Sequence, residues 1–268
     1  MVKNKFSSVG KKGAEIFSKE KEKIPEIVKK IIVESDIILE VLDARFPKET
    51  QNKEIESYIK NQGKKIIYIL NKSDFLVDLF KSDLFPSVYV SSKERKGGRR
   101  LREMIKIEAK KIEKDRIIIG VIGYPNTGKS SLINLLIGKS SARFSAEAGF
   151  TKGVQKLRLS KKIYLLDSPG IIPNEEYSIE KSDKKHVEIG VKTYDKIKDP
   201  EMAVVDLMKK YSKIIEEFYN IIANGNPEIL LEEIGKQKRF LRKGGEIDID
   251  KTARLVLKDW QRGNIKIR

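Results

Sequence analysis

The stretch RIIIGVIGYPNTGKSSLINLLIG, residues 116–138, decides the fold. An apolar, β-branched run ends at Gly123. After four intervening residues come Gly128, Lys129 and Ser130, and then the apolar string SLINLLIG with helical spacing. That spacing is a phosphate-binding loop set between a strand and a helix, the context its mechanism requires. Backbone N–H groups of a glycine-permitted loop, backed by the positive end of the helix, surround phosphates. Lys129 brings charge to the outer phosphates, Ser130 is the expected Mg2+ ligand, and Asn126, Thr127 and Ser131 complete the loop. A glycine-rich turn is the plain alternative, and the flanking strand and helix argue against it.

Working outward, the same strand-then-helix cadence recurs at IILEVL (37–42), KIIYIL (65–70) and SVYVSSK (87–93). VQKLRL (154–159) and KIYLLD (162–167), two residues apart, predict a hairpin that adds one antiparallel strand. Alternating elements with buried, β-branched strands predict an α/β fold, a mostly parallel sheet with helices on both faces. Beyond about residue 174 only helical patterns remain, at 201–220, 227–241 and 250–262, broken by GNP (225–227) and GG (244–245). The expected organisation is a basic N-terminal arm (1–20), a nucleotide-binding domain (21–173), a polar linker (174–198) and a C-terminal all-α, basic domain (199–268).

A second carboxylate must hold the magnesium through water, and it belongs at the end of a neighbouring strand. Asp167, in LLDSPG, meets that requirement. Gly170 follows it, with a backbone N–H able to meet a γ-phosphate without an intervening side chain. Between the loop and Asp167 the chain has one threonine, Thr151 in AGFTKG. It is the expected switch residue over the γ-phosphate and Mg2+. Lys129, Thr151 and Gly170 are thus the expected catalytic set.

NKSD (71–74) follows the strand 65–70 directly, so Asn71, Lys72 and Asp74 fall at the carboxyl edge of the sheet, where open α/β folds bind ligands. A carboxylate there accepts hydrogen bonds from guanine N1 and its exocyclic amine. Adenine would leave that acceptor unpaired at a cost of about 1–3 kcal/mol, so the site should select GTP and GDP over ATP. Ser91, Ser92 and Lys93 end the next strand, where a backbone N–H can read guanine O6.

With these motifs in hand, the sequence resembles the translation-factor-related GTPases, whose usual order is phosphate loop, switch threonine, DxxG, NKxD and SxK. Here NKSD and SSK come first. DARFP (43–47) is similar to the DARxP signature of the circularly permuted ribosome-biogenesis GTPases of the YlqF/YawG-like family, and the ending GGEIDIDKTARLVLKDWQRG extends the likeness. A permuted domain is physically plausible because domain termini often lie close together. The rejoined segment is KDR (114–116), and the new end lies just past Gly170. The resemblance implies a slow GTP hydrolase stimulated by the ribosomal subunit. It also implies K+ dependence through Asn126, because Ile171 occupies the position where other GTPases carry a water-orienting glutamine. Two departures stand out. The chain has no histidine before His186, so the family's N-terminal catalytic histidines have no counterpart, and Ala148 stands where the more usual PGxT pattern has its proline, three residues before Thr151. His186 is expected to be a solvated linker residue.

The chain of 268 residues carries 56 Lys and Arg against 39 Asp and Glu, a formal charge of +17, which favours a polyanionic partner. Cysteine is absent and histidine occurs once, which excludes disulfides, thiolate nucleophiles and multi-histidine metal sites. No run approaches a spanning helix, and residues 1–13 lack a signal peptide's apolar middle, so no membrane association and a cytoplasmic protein are expected. Basic clusters at the arm, 93–100, 139–162 and 236–268 carry few aromatics, which points to phosphate contacts and RNA shape rather than base stacking. Trp260 reads as core of the last helix. The expected partner is ribosomal RNA of the large subunit, bound by a monomer as a GTP-dependent assembly switch. A regulatory GTPase acting on proteins and a structural RNA-binding protein with a vestigial nucleotide site are the alternatives.

Overall fold

The computed structural model describes residues 24–138, 155–172 and 180–267. The basic arm, Thr151 with its AGFT loop, and most of the 139–162 cluster lie outside the described residues.

Six strands form one sheet in the order β3-β2-β1-β4-β6-β5: β1 Ile37–Asp43, β2 Lys65–Asn71, β3 Ser87–Tyr89, β4 Ile117–Gly123, β5 Gln155–Arg158 and β6 Ile163–Asp167. All neighbours are parallel except β5 and β6, the expected hairpin. Central β1 and β4 are apolar nearly throughout because helices cover both faces. On one face Ile37, Leu39 and Val41 of β1 and Ile119 and Val121 of β4 pack with Leu101 and Ile105 of α3 (Gly98–Lys110) and Leu132 and Leu136 of α4 (Lys129–Ile137). On the other face Ile38 and Leu42 meet Val28 and Ile32 of α1 (Glu26–Glu34) and Ile55 and Ile59 of α2 (Lys53–Asn61).

The strand order reverses direction between β1 and β4. The chain lays β2 and β3 to one side of β1, then crosses back through α3 to begin β4 on the other side. A crevice opens at the carboxyl ends beside such a switch point. The DARFP, NKSD and phosphate loops and Asp167 all leave strands at that edge.

The remaining helices are α5 Glu180–Glu188, α6 Pro200–Tyr219, α7 Pro227–Lys238 and α8 Ile249–Arg262. Asp199, Asn226 and Asp248 cap the last three through side-chain oxygens, and proline opens α6 and α7. Their core includes Val204, Leu207, Ile215, Leu230, Ile234, Val256, Leu257 and a fully buried Trp260, as expected for that tryptophan.

The segment read as a polar linker differs. Part of it is α5, and Val187, Ile189 and Ile197 join the helical core. His186, expected in solvent, is 6% exposed. Packing against α6 and α8 buries that side of α5 although the string itself is mostly charged. Among the described residues, no helix is long and apolar enough to cross a membrane.

Candidate functional site

The phosphate end of the crevice is built on the turn from β4 into α4. Asn126 and Gly128 both take positive φ, +61° and +92°, and a Cβ on Gly128 would overlap the Asn71 side-chain amide. Only glycine fits there. Lys129, 8% exposed, lies across the loop and donates from Nζ to the carbonyls of Gly123 at 3.0 Å and Tyr124 at 2.9 Å. Burial pushes its pKa down to about 8, against the opposing pull of Asp167. Thr127 Oγ1 donates to Tyr124 O at 2.9 Å and stiffens the same turn.

Ser130 Oγ stands 3.4 Å from Asp167 Oδ2, while Asp167 Oδ1 is buried without a donor. Burial raises the Asp167 pKa, opposed by Lys129, Ser130 and the Ser168 N–H. A half-satisfied carboxylate beside a hydroxyl is a donor set suited to a hard divalent cation that keeps waters and phosphate oxygens as its other ligands. Gly170 sits against the loop so closely that a Cβ would come within 2.7 Å of Pro125 Cα, and the next N–H, of Ile171, donates to Gly123 O at 3.2 Å. The cleft, about 850 Å³, is lined by Asn126, Gly128, Lys129, Ser130, Ser131, Asp167 and Gly170 among others. Ile171 is 5% exposed and packs into the α1 and α2 face, so its side chain is withdrawn from the cleft. The Asn126 amide donates to the carbonyls of Gly190 at 2.9 Å and Val191 at 3.2 Å, beyond α5.

Asn71 links the end of the crevice expected to take the base to the loop expected to take phosphate. Asn71 Nδ2 donates to Thr127 O at 2.8 Å, and its Oδ1 accepts from Ser92 N at 3.2 Å and Ser92 Oγ at 2.9 Å. Asp74 Oδ1 accepts from Ser91 Oγ at 2.6 Å. Lys72 takes positive φ, +61°, and Lys72 Nζ and Lys93 Nζ lie 5.8 and 5.9 Å from the Phe75 ring. Asn71, Lys72, Asp74, Ser91, Ser92 and Lys93 therefore form one cluster joined to the phosphate loop.

Sequence reasoning gave DARFP no partner. In the structure Asp43 is fully buried and accepts from Lys72 Nζ at 2.9 Å and from Arg45 Nε and Nη2 at 3.0 and 2.9 Å. Burial alone would raise its carboxyl, but Lys72 and Arg45 hold it well below the usual carboxylate range. A buried carboxylate with two cations is stable only when fully paired, as here. The signal in the sequence was an Asp closing an apolar strand with an Arg two residues on.

Comparison with known proteins supplies relatives. The family model described as "50S ribosome-binding GTPase" matches residues 118–233, beginning in β4, downstream of NKSD and SSK. An uncharacterized GTP-binding protein of Methanocaldococcus jannaschii is 40% identical over 252 residues, covering 90% of this chain and 66% of that protein. Nucleolar GTP-binding protein 2 of Saccharomyces cerevisiae is 32% identical over 277 residues, covering 98% of this chain and 56% of that one. The chain thus spans a little under two thirds of the first relative and about half of the second. Among solved structures, GDP-bound YlqF has the same fold, with a TM-score of 0.62 at 22% identity over 88% of this chain and 94% of that one. A GNP-bound YlqF from T. maritima superposes similarly, with a TM-score of 0.61.

Proposed function

We propose, for a chain that belongs to the circularly permuted GTPases related to nucleolar GTP-binding protein 2 and YlqF, that it hydrolyses GTP to GDP and phosphate as a switch in assembly of the large ribosomal subunit. The observation that carries this reading is Asn71, whose amide ties the guanine motifs to the phosphate loop in one crevice. Asp74 reads guanine N1 and its amine, Ser92 and Lys93 flank the base, and the loop from Gly123 to Ser131 holds the phosphates. Lys129 leaves its two carbonyl partners for phosphate oxygens that return it to full charge. Ser130 and Asp167 are the residues that would hold Mg2+, and Thr151 is the switch residue that would act with them. When bound, the ion neutralises charge on the phosphate oxygens. Asn126, whose amide nitrogen is anchored on Gly190 O and Val191 O, is the residue that would bind K+. Gly170 presents its N–H to the γ-phosphate.

In this reading residues 21–173 form the GTPase unit, and residues 199–268 form the RNA-binding unit, reached through 174–198. The basic stretches at 93–100 and 236–268 support ribosomal RNA as the partner of a cytoplasmic, monomeric protein. GTP turnover measured in K+ and in Na+, each with and without purified ribosomal subunits, tests the whole. Stimulation by the large subunit is expected. Turnover indifferent to both subunits would remove the assembly role, and equal competition by ATP would remove the guanine assignment.

A further inference from the structure

Two contacts run from the guanine corner to the C-terminal helices, and neither involves phosphate. In the first, Lys72 Nζ and Arg45 Nε and Nη2 all donate to Asp43, and Arg45 Nη1 donates to the backbone carbonyl of Trp260 in α8 at 3.0 Å. The Asp43 and Arg45 side chains are fully buried. The guanidinium lies 5.0 Å from the Phe46 ring, 4.8 Å from Phe75 and 5.7 Å from Trp260, so its third side is closed by aromatic faces. In the second, the segment just after NKSD pairs through its backbone with Ile267. Ile267 N donates to Phe75 O at 3.0 Å and Val77 N donates to Ile267 O at 2.9 Å. Gly263, at the end of α8 with φ +72°, lies flat on the Phe75 ring, where any Cβ would overlap it.

We infer that Asp43 and Arg45 are positioning residues through which the docking of α8 sets guanine affinity, so that a partner gripping the C-terminal helices controls nucleotide release. This rests on residues 71–74 being the guanine site. With α8 docked, the triad is dry and Lys72 is fixed in its left-handed turn. With α8 lifted, Arg45 loses the Trp260 carbonyl and ring, water reaches the triad, and the turn that carries Asp74 loosens. The coupling is reciprocal, so a bound base must hold α8 down by the same factor. The base is common to GDP and GTP, so this route does not distinguish them. The Asn126 link to Gly190 and Val191 is a separate connection at the phosphate end.

Hydrogen exchange of residues 249–267 in the full chain tests the inference with four probes: guanosine, GDP, a non-hydrolysable GTP analogue and pyrophosphate. The expected result is slower exchange with guanosine, GDP and the analogue, and none with pyrophosphate alone. Arg45→Lys keeps the charge but loses the fork and the reach to Trp260. It should speed dissociation of fluorescent GDP about tenfold, within the roughly 5- to 150-fold span of such couplings, and abolish the GDP-dependent protection. The pair Asp43→Asn with Arg45→Gln, which removes both fully buried charges together and leaves the part-exposed Lys72 an amide oxygen to bind, should do the same. Exchange in 249–267 that is unchanged by GDP, in wild-type protein that binds GDP, overturns the coupling. Protection by pyrophosphate equal to that by GDP overturns it as well. Failure of GDP to bind overturns instead the guanine reading on which it stands.

Discussion

Raising the pH should strip Lys129 of its proton in the empty protein and make nucleotide binding take one up. Burial in the loop brings this ammonium from its ordinary 10.5 down to about 8, with Asp167 pulling the other way. Keeping it charged in the empty site therefore costs about 3 kcal/mol at neutral pH. Between about 8 and 10.5 the unfolded chain holds more protons than the folded one, so the stability of the empty protein rises with pH across that window. Phosphate oxygens beside Nζ reverse the balance, because opposite charge favours the charged form. At a pH of about 8, half of the empty sites lack the proton and nearly all occupied sites hold it. Binding of GDP should then take up about half a proton per site. Affinity should fall by about tenfold per pH unit further up. Calorimetric titration in two buffers of different ionisation enthalpy reads this uptake directly. Lys129→Arg, whose guanidinium stays charged, should bind GDP with no uptake. Identical apparent enthalpies in the two buffers for the wild type, or the same uptake in the Arg variant, would refute the reasoning.

Gly128→Ala forces a Cβ into the Asn71 amide at φ +92°; fluorescent GDP titration should show loss of binding, and thermal unfolding a deficit of about 1–3 kcal/mol. Asn71→Asp keeps an acceptor for Ser92 but turns a carboxylate oxygen toward Thr127 O, where a donor stood at 2.8 Å. Urea unfolding should record a loss of about 2–4 kcal/mol, with GDP affinity falling in parallel. Glu40, fully buried in β1, has its carboxyl raised well above the usual range by burial first and then by Glu56. Oε2 of Glu40 and Oε1 of Glu56 have no donor unless Glu40 keeps its proton. The unfolded acid loses that proton at lower pH than the folded one, so this pair's contribution declines as pH rises above about 4.5. Glu40→Gln should consequently be more stable than wild type at pH 8 by on the order of 1 kcal/mol, and the gain should shrink toward pH 5. A constant difference across that range would point to packing instead.

The sheet was legible because its buried strands are continuous runs such as 37–42 and 117–122, which parallel pairing under two helical layers demands. The phosphate loop was legible because its glycine spacing is dictated by backbone geometry within a few residues. What could not be read is long in sequence and short in space. Asn71 and Thr127 are 56 residues apart, and Arg45 and Trp260 are 215 apart. Nothing in NKSD tells whether the asparagine serves a ligand or the loop beside it. The helix α5 was missed for a local reason: KSDKKHVE, within 181–188, offers one strongly apolar residue, Val187, and its helical state depends on the tertiary partners that bury His186 and Val187. The third strand was read too long, as 87–93, because Val90 is buried like a strand residue and still donates to Leu70 O, although the register with β2 ends at Tyr89 and the chain turns at Ser91 to bridge Lys96.

Permutation gives the position after Gly170 a different task from the one it has where a glutamine stands. Ile171 is anchored twice, by its N–H on Gly123 O and by its side chain among the residues under α1 and α2. Gly170 therefore cannot move toward a γ-phosphate without drawing on the core or on the chain that follows at residue 172. That chain leads to Gly190 and Val191, which the phosphate-loop Asn126 grips directly, and on to α8, which Arg45 grips at the base end. The C-terminal helices are tied to both ends of the crevice. An apolar anchor at residue 171 supplies no group to orient water, so under the proposed activity the orienting group must come from elsewhere.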